Sequence, residues 1–296
     1  MNYTYSVIIP HYQSIKLLKR LLLSIPERHD IQVLVIDDNS SQDIQQQLLS
    51  LKHLNLTIYL QQENHGAGNA RNLGLKRAEG KWVLFADADD FFNDNAFEIL
   101  DKYINSDLDY LCFCVNSMDN KTKLFGKRNI TSDNSVRRYL KRKTQKSLNY
   151  FKFRNYACWN KLYSMIFLKE NNILFEESAV NNDVYFSFQV ALLSKKYDII
   201  PNELYCCTYI PTSITFKKRS IEREFLFYTM AKKRNGFYHY LRLGYPFVRY
   251  DWLYLLYIIK KRGIKDAYHF YIYSWKHRDE LKKASKQYLH LFDKHN

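Results

Sequence analysis

The sequence predicts an α/β protein: a mostly parallel sheet flanked by helices, followed by a helical region rich in aromatic and basic residues. Three observations carry this. Short apolar runs alternate with helix-period segments through the first 118 residues, and that alternation with short connections gives a parallel sheet covered on both faces. Gly and Pro number only 8 and 5 among 296 residues, which argues against long flexible linkers. Residues 216–296 hold 20 of the 48 aromatic residues, and the pattern there is helical from about residue 220.

The elements follow in order. Residues 5–10 (Tyr-Ser-Val-Ile-Ile-Pro) read as a buried strand. Ser14 then stands where a helix cap is expected, before Ile15, Leu18, Leu21 and Leu22 at helical spacing. Residues 32–37 form a second strand, Ser41 begins a helix through Leu51, and residues 56–60 alternate as a third strand. Gly66 opens a helix to Ala78, Gly80 reads as its stop, and residues 82–86 are a fourth strand. A helix over 95–104 and a strand over 110–115 complete the alternation. Residues 119–154 hold 12 Lys+Arg against two Asp with weak periodicity; one helix is expected there, around 136–141. Residues 157–163 resume regular structure ahead of a helix to Glu170. An apolar helix over 184–193 and a strand over 205–209 follow.

The net charge of +15 is unevenly spread. Residues 1–118 carry 10 Lys+Arg and 15 Asp+Glu, and residues 119–296 carry 35 and 15. An acidic half beside a basic half points to different partners for each. The five cysteines are odd in number and none forms a CxxC pair; Cys112 and Cys114, two apart in an apolar run, read as buried thiols, and a reducing cytosol is expected. The N-terminus enters a strand at once, which reads as no signal peptide. The run 252–259 is too short to span a bilayer.

Chemistry concentrates at the end of the fourth strand, where Asp87, Asp89 and Asp90 crowd together. Ligands of open α/β sheets bind beyond the carboxyl ends of strands. Clustered carboxylates with no Lys or Arg among them invite a hard divalent cation; the plainer alternative is a solvated, helix-capping turn. The glycines at 66 and 68 lack the third glycine of a dinucleotide fingerprint, and no P-loop is present.

Four blocks occur in one order: Ser6-Val7-Ile8-Ile9-Pro10-His11-Tyr12, Val35-Ile36-Asp37-Asp38-Asn39-Ser40-Ser41, Gly68-Asn69-Ala70-Arg71-Asn72-Leu73-Gly74 and Phe85-Ala86-Asp87-Ala88-Asp89-Asp90. With Trp159-Asn160-Lys161 and Asn182-Asp183-Val184-Tyr185-Phe186, the set resembles the family-2 nucleotide-sugar glycosyltransferases over residues 3–215. That resemblance implies a GT-A-type, Rossmann-like catalytic domain over 1–215, with a nucleotide-sugar half (1–118) and an acceptor half (119–215), and leaves 216–296 as a helical C-terminal region. It implies that Pro10, Tyr12 and Asp38 hold the nucleotide base. Arg71 either pairs with a strand-end aspartate or faces the diphosphate. Asp87, Ala88 and Asp89 form the family's DXD motif, in which Asp87 and Asp89 hold Mn²⁺ or Mg²⁺. Asp90, Trp159, Asn160 and Lys161 line the acceptor side, although Trp159 equally suits core packing. Asp183 is the base, preceded by Asn182 where the usual residue is Glu. As a carboxylate at a helix N-terminus it is expected to be stabilised as the anion.

The resulting expectation is an inverting enzyme of bacterial surface-polysaccharide synthesis. It would move a sugar from a UDP-sugar to a hydroxyl of a glycan or lipid-linked acceptor. A catalytically inactive nucleotide-sugar-binding module is the alternative; a nucleic-acid binder fits poorly with an acidic nucleotide half. A cytoplasmic location is expected. Residues 245–262 set aromatic and aliphatic side chains beside Lys260, Lys261 and Arg262, which suggests peripheral contact with an anionic membrane surface on the inner face.

Overall fold

Apolar runs build the first, second and fourth strands, because a strand buried on both faces carries apolar side chains on both. A computed structural model describes residues 3–122, 124–126, 130–210, 219–240, 251–289 and 291. Strands β1 (Tyr3–His11), β2 (Ile31–Asp37), β3 (Leu56–Leu60) and β4 (Gly80–Phe85) alternate with helices α1 (Ile15–Leu23), α2 (Gln42–Leu49) and α3 (Ala67–Arg77). All four strands are parallel, in the order β3-β2-β1-β4. Val7, Ile8, Ile9, Val33, Leu34, Val83 and Leu84 are fully buried. The register sets His11 opposite Asp37 and Asp37 opposite Leu60, so the carboxyl ends of β1, β2 and β3 meet at one rim.

The chain continues through β5 (Phe91–Phe92), α4 (Ala96–Leu100), β6 (Tyr110–Asp119), α5 (Ile130–Arg142), α6 (Gln145–Arg154), β7 (Lys161–Ser164), α7 (Met165–Glu170), α8 (Asp183–Leu193) and β8 (Tyr197–Tyr209). The complete sheet runs β3-β2-β1-β4-β7-β6-β8-β5. Strand β7 is antiparallel to both β4 and β6, and β5 is antiparallel to β8, so four of the seven pairings are parallel.

Several elements differ from the sequence reading. Gly80 is not a helix stop: α3 ends at Arg77, and Gly80 opens β4 against β1. A Cβ there would lie 2.5 Å from the backbone of Tyr5 and Ser6, so close strand approach is what requires glycine. Ser14 and Ser41 occupy N-cap positions without a side-chain cap bond. The basic stretch holds two helices. Thr144 and Ser147 form a capping box that starts the second, and Val136, Tyr139 and Phe151 pack into the core; the high charge masked that apolar face. Strand β8 begins eight residues before its predicted start. Its register against β6 jumps between Phe113 and Val115, which leaves Pro201 and Asn202 outside the pairing; proline is tolerated in a strand at such a bulge.

Contacts divide the chain into two units, Met1–Ser178 with Asn182–Pro211, and Ala179–Asn181 with Thr212–Asn296. In the second, α9 (Ile221–Tyr240), α10 (Asp251–Arg262), α11 (Ile264–Lys276) and α12 (Arg278–Gln287) are described. Phe225, Tyr228, Tyr254, Ile258, Ala267 and Phe270 form its core. Buried Glu224 accepts a hydrogen bond from the Tyr254 hydroxyl at 2.7 Å and lies 3.5 Å from both Arg219 and Arg262. Gly263, at φ +91°, makes the bend between α10 and α11, a conformation that side-chain-bearing residues avoid. Among the described residues no helix is long and apolar enough to cross a membrane. The expected boundary at 215 and the segment 245–250 lie outside the described residues.

Gly80→Ala is expected to lower stability by about 1–3 kcal/mol through overpacking. Thermal unfolding reads this directly; an unchanged melting temperature would show that β1 and β4 are not held this close.

Candidate active site

The rim formed by the ends of β1, β2 and β4 is built from buried polar networks. His11 ends β1. Its Nε2 accepts the Ser14 N–H at 3.1 Å, which assigns the ring proton to Nδ1, and Nδ1 donates to Asp37 at 2.8 Å. Asp37 also accepts the backbone N–H and the hydroxyl of Ser40 and the Gln45 amide. Burial opposes the charge on Asp37, but these hydrogen bonds together outweigh it and hold the carboxyl below its usual range. The next residue, Asp38, accepts the backbone N–H groups of His65 and Gly66, both at 2.8 Å. It thereby ties the end of β2 to the loop entering α3, and is itself buried. Pro10 is partly exposed and Tyr12 is 47% exposed, so of the residues expected around the base Tyr12 offers the most open face.

Beyond β4 the chain turns sharply. The Asp90 N–H donates to the Asp87 carbonyl at 2.9 Å. Ala88 is buried, and Asp87, Asp89 and Asp90 each offer an oxygen within a 4.8 Å span. Like charges this close need compensation. Arg71, from α3, supplies it: its Nη2 lies 2.6 Å from Asp87 Oδ1, its Nη1 donates to Asn182 Oδ1 at 2.9 Å, and its guanidinium lies over the Phe175 ring. Arg71 is thus buried and in direct contact with the strand-end aspartate.

Three further groups hold the turn. The Asp87 N–H donates to the Tyr205 hydroxyl at 2.8 Å. Asp90, fully buried, accepts the Thr208 N–H at 2.7 Å. Arg20 donates to the Asp89 carbonyl and to the Thr208 hydroxyl, each at 2.6 Å, and covers the Phe91 ring. No sequence signal marks Arg20, Tyr205 or Thr208, because each acts across a distance in sequence that only the fold closes. An all-oxygen donor set of carboxylates suits Mg²⁺ or Mn²⁺, so the residues present fit the divalent ion expected from the motif.

The residues expected on the acceptor side are placed deeper. Trp159 is 7% exposed and stacks on Tyr205, with ring centroids 5.5 Å apart at 13°; it packs behind the acidic turn. Asn160 is 0% exposed and directs its amide at Cys112 Sγ and the Phe113 carbonyl. Lys161, 5% exposed, donates to the carbonyls of Ala157 and Asn155 and to Asn160 Oδ1. Burial lowers its pKa. All three are buried, and the polar atoms of Asn160 and Lys161 are bonded within the chain. Asp183 is the first residue of α8, after Asn182 at the N-cap. Its carboxyl does not follow the helix-dipole expectation: burial pushes it up to about 6, against the opposing pull of Arg71 and with Asp87 reinforcing the rise. Desolvation outweighs the dipole here. A separate cleft of about 710 Å³ between α3 and α7 is lined by Gln61, Asn69, Asn72 and Lys169, and no residue of the acidic turn lines it.

A parallel half-sheet whose carboxyl rim carries an acidic turn paired with a helix arginine defines a GT-A glycosyltransferase fold. The chain belongs to glycosyl transferase family 2, whose family model matches residues 6–171. It is similar to the poly(ribitol-phosphate) beta-N-acetylglucosaminyltransferase TarS of Staphylococcus aureus, 35% identical over 107 residues, covering 34% of this chain and 19% of TarS. It is also similar to the minor teichoic acid biosynthesis protein GgaB of Bacillus subtilis, 34% identical over 103 residues, covering 33% of this chain and 11% of GgaB. The chain thus spans less than a fifth of each relative's length. The crystal structure of S. aureus TarS 1–349 shares the fold at a TM-score of 0.61 and 20% identity, over 97% of this chain and 83% of that one. The same TarS fragment in complex with UDP-GlcNAc matches at 0.58 and 24% identity, over 77% and 64%.

Arg71→Met is expected to cost about 3 kcal/mol, since removing one partner leaves the other carboxylate uncompensated. Denaturant unfolding measures it; a change of a few tenths would mean the pair does not hold the turn.

Proposed function

We propose that the chain is an inverting, metal-dependent glycosyltransferase that moves a sugar from a UDP-sugar to a hydroxyl of a surface glycan or lipid-linked saccharide. The observation that carries this is the grouping of Asp183, its carboxyl raised to about 6, with Arg71 and the acidic turn at Asp87. Family membership supports transfer chemistry, and the UDP-GlcNAc bound by a TarS fragment supports a UDP-linked donor. Five buried free thiols suit a reducing cytosol, where the enzyme would meet a lipid-linked acceptor at the inner membrane face.

In this mechanism Tyr12 flanks the base, and Asp38 fixes the loop beside it. Asp87 and Asp89 are the residues that would hold Mg²⁺ or Mn²⁺, with Asp90 adjacent. When bound, that ion neutralises charge on the departing diphosphate. Arg71 holds the Asp87 carboxylate in place. The Asp183 carboxylate takes the proton of the acceptor hydroxyl as that oxygen bonds to the anomeric carbon. The bond from that carbon to the β-phosphate oxygen breaks on the opposite face, and its electron pair leaves with UDP. Trp159, Asn160 and Lys161 support the acceptor side from behind.

Asp89→Asn is expected to abolish Mn²⁺-dependent release of UDP from UDP-sugars and the Mn²⁺-dependent rise in melting temperature with UDP. Full activity in excess EDTA would overturn the metal assignment. No UDP release by the wild-type protein with any UDP-sugar would favour the inactive module.

Asp183→Asn is expected to reduce transfer about 10²–10⁴-fold, with UDP-sugar affinity retained. The wild-type rate should rise with pH through about 6 and level off above, because only the carboxylate accepts a proton. Stability has the opposite slope. A carboxyl raised in the folded state contributes most when protonated, so its contribution is full below its ordinary value of 3.8 and is lost as pH rises through about 6. Turnover of Asp183→Asn within a few-fold of wild type would place the base elsewhere.

A further inference from the structure

The second unit turns apolar side chains outward in an ordered way. On α11, Ile264, Tyr268, Tyr271 and Trp275 are 76%, 63%, 50% and 57% exposed. They recur at intervals of four, three and four residues, so they form one stripe along one side of the helix. The other side, through Ala267 and Phe270, already packs in the core of the unit, so folding does not require the stripe. On α10, which packs against α11, Trp252, Leu256 and Ile259 repeat the spacing and are also exposed.

The charge around these stripes is predominantly positive. Residues 251–289 hold nine Lys+Arg and four Asp+Glu. Lys260, Lys261, Lys265 and Lys276 are exposed, and Lys261 lies 5.0 Å from the Tyr257 ring centroid. Contact surfaces between proteins enrich aromatics but deplete Lys. A lipid headgroup layer takes both, with Trp and Tyr at the level of the headgroups and ammonium groups against the phosphates. We propose that the exposed face of α10 and α11 is a docking surface for an anionic lipid bilayer. It concerns binding alone and stands apart from the transfer reaction proposed above.

The test is co-sedimentation of the full chain with vesicles of phosphatidylcholine, with or without phosphatidylglycerol. Strong binding only to the anionic vesicles is expected. Trp82 and Trp159 are buried, so a blue shift of emission on binding reports the exposed Trp252 and Trp275. The combined variant Tyr268→Ser, Tyr271→Ser and Trp275→Ser should keep its melting temperature and lose at least tenfold in binding. Replacing Lys260, Lys261 and Lys265 with Gln should weaken binding roughly a hundredfold, at about fivefold per basic residue. Equal binding to both vesicle types, binding to neither, or wild-type binding by the serine variant would overturn the proposal. So would a lipid-free dimer that the serine variant returns to monomer, which would assign the face to a second copy of the chain.

Discussion

The contact between Arg71 and Asp87 is the constraint on which the rim depends. Three carboxylates with oxygens inside 4.8 Å would push the turn after β4 apart. One buried guanidinium at 2.6 Å offsets that repulsion where water screens it little. The same arginine reaches Asn182 at the head of α8, so α3, the acidic turn and the start of α8 share one charge. It also opposes the burial that lifts the Asp183 carboxyl, which places that group's titration near neutrality. With Asn rather than an acid at 182, Asp87 is the direct carboxylate partner and Asn182 a neutral one.

The sheet makes this arrangement reproducible. The parallel half delivers the ends of β1, β2 and β4 to one rim, and β7 joins it to the second half by pairing antiparallel with both β4 and β6. Strand β8 then sends Tyr205 to the backbone of Asp87 and Thr208 to the carboxylate of Asp90. The turn is gripped from α3 on one side and from β8 and Arg20 on the other. A site whose groups are fixed before the ligand arrives avoids the cost of ordering them later.

Much of this was legible in the sequence for a physical reason. Buried parallel strands need unbroken apolar runs, as at 33–36 and 82–86; acids crowding a strand end stand out against that apolar background. What was hidden acts at long range or against the grain of composition. Arg20 is an ordinary basic residue in the last turn of α1 until the fold brings Asp89 and Thr208 to it. Strand β5 is two residues long, below the length at which a period of two is detectable. Asn160 and Lys161 look like ligand-binding side chains, yet their polar atoms are engaged within the chain. The direction of the Asp183 shift is hidden because the helix dipole is visible in sequence and burial is not.

The bulge in β8 has a consequence for how the molecule coexists with its own copies. Among the described residues, strand β5 pairs with β8 at Tyr205 and Cys206. The stretch of β8 before them carries the exposed residues Pro201, Asn202 and Glu203 at the point where the register jumps. Proline there offers no N–H, the bulge bends the strand, and Glu203 adds a charge that Arg137 engages. A neighbouring sheet finds no straight row of donors and acceptors on which to extend, so this margin resists edge-to-edge polymerisation.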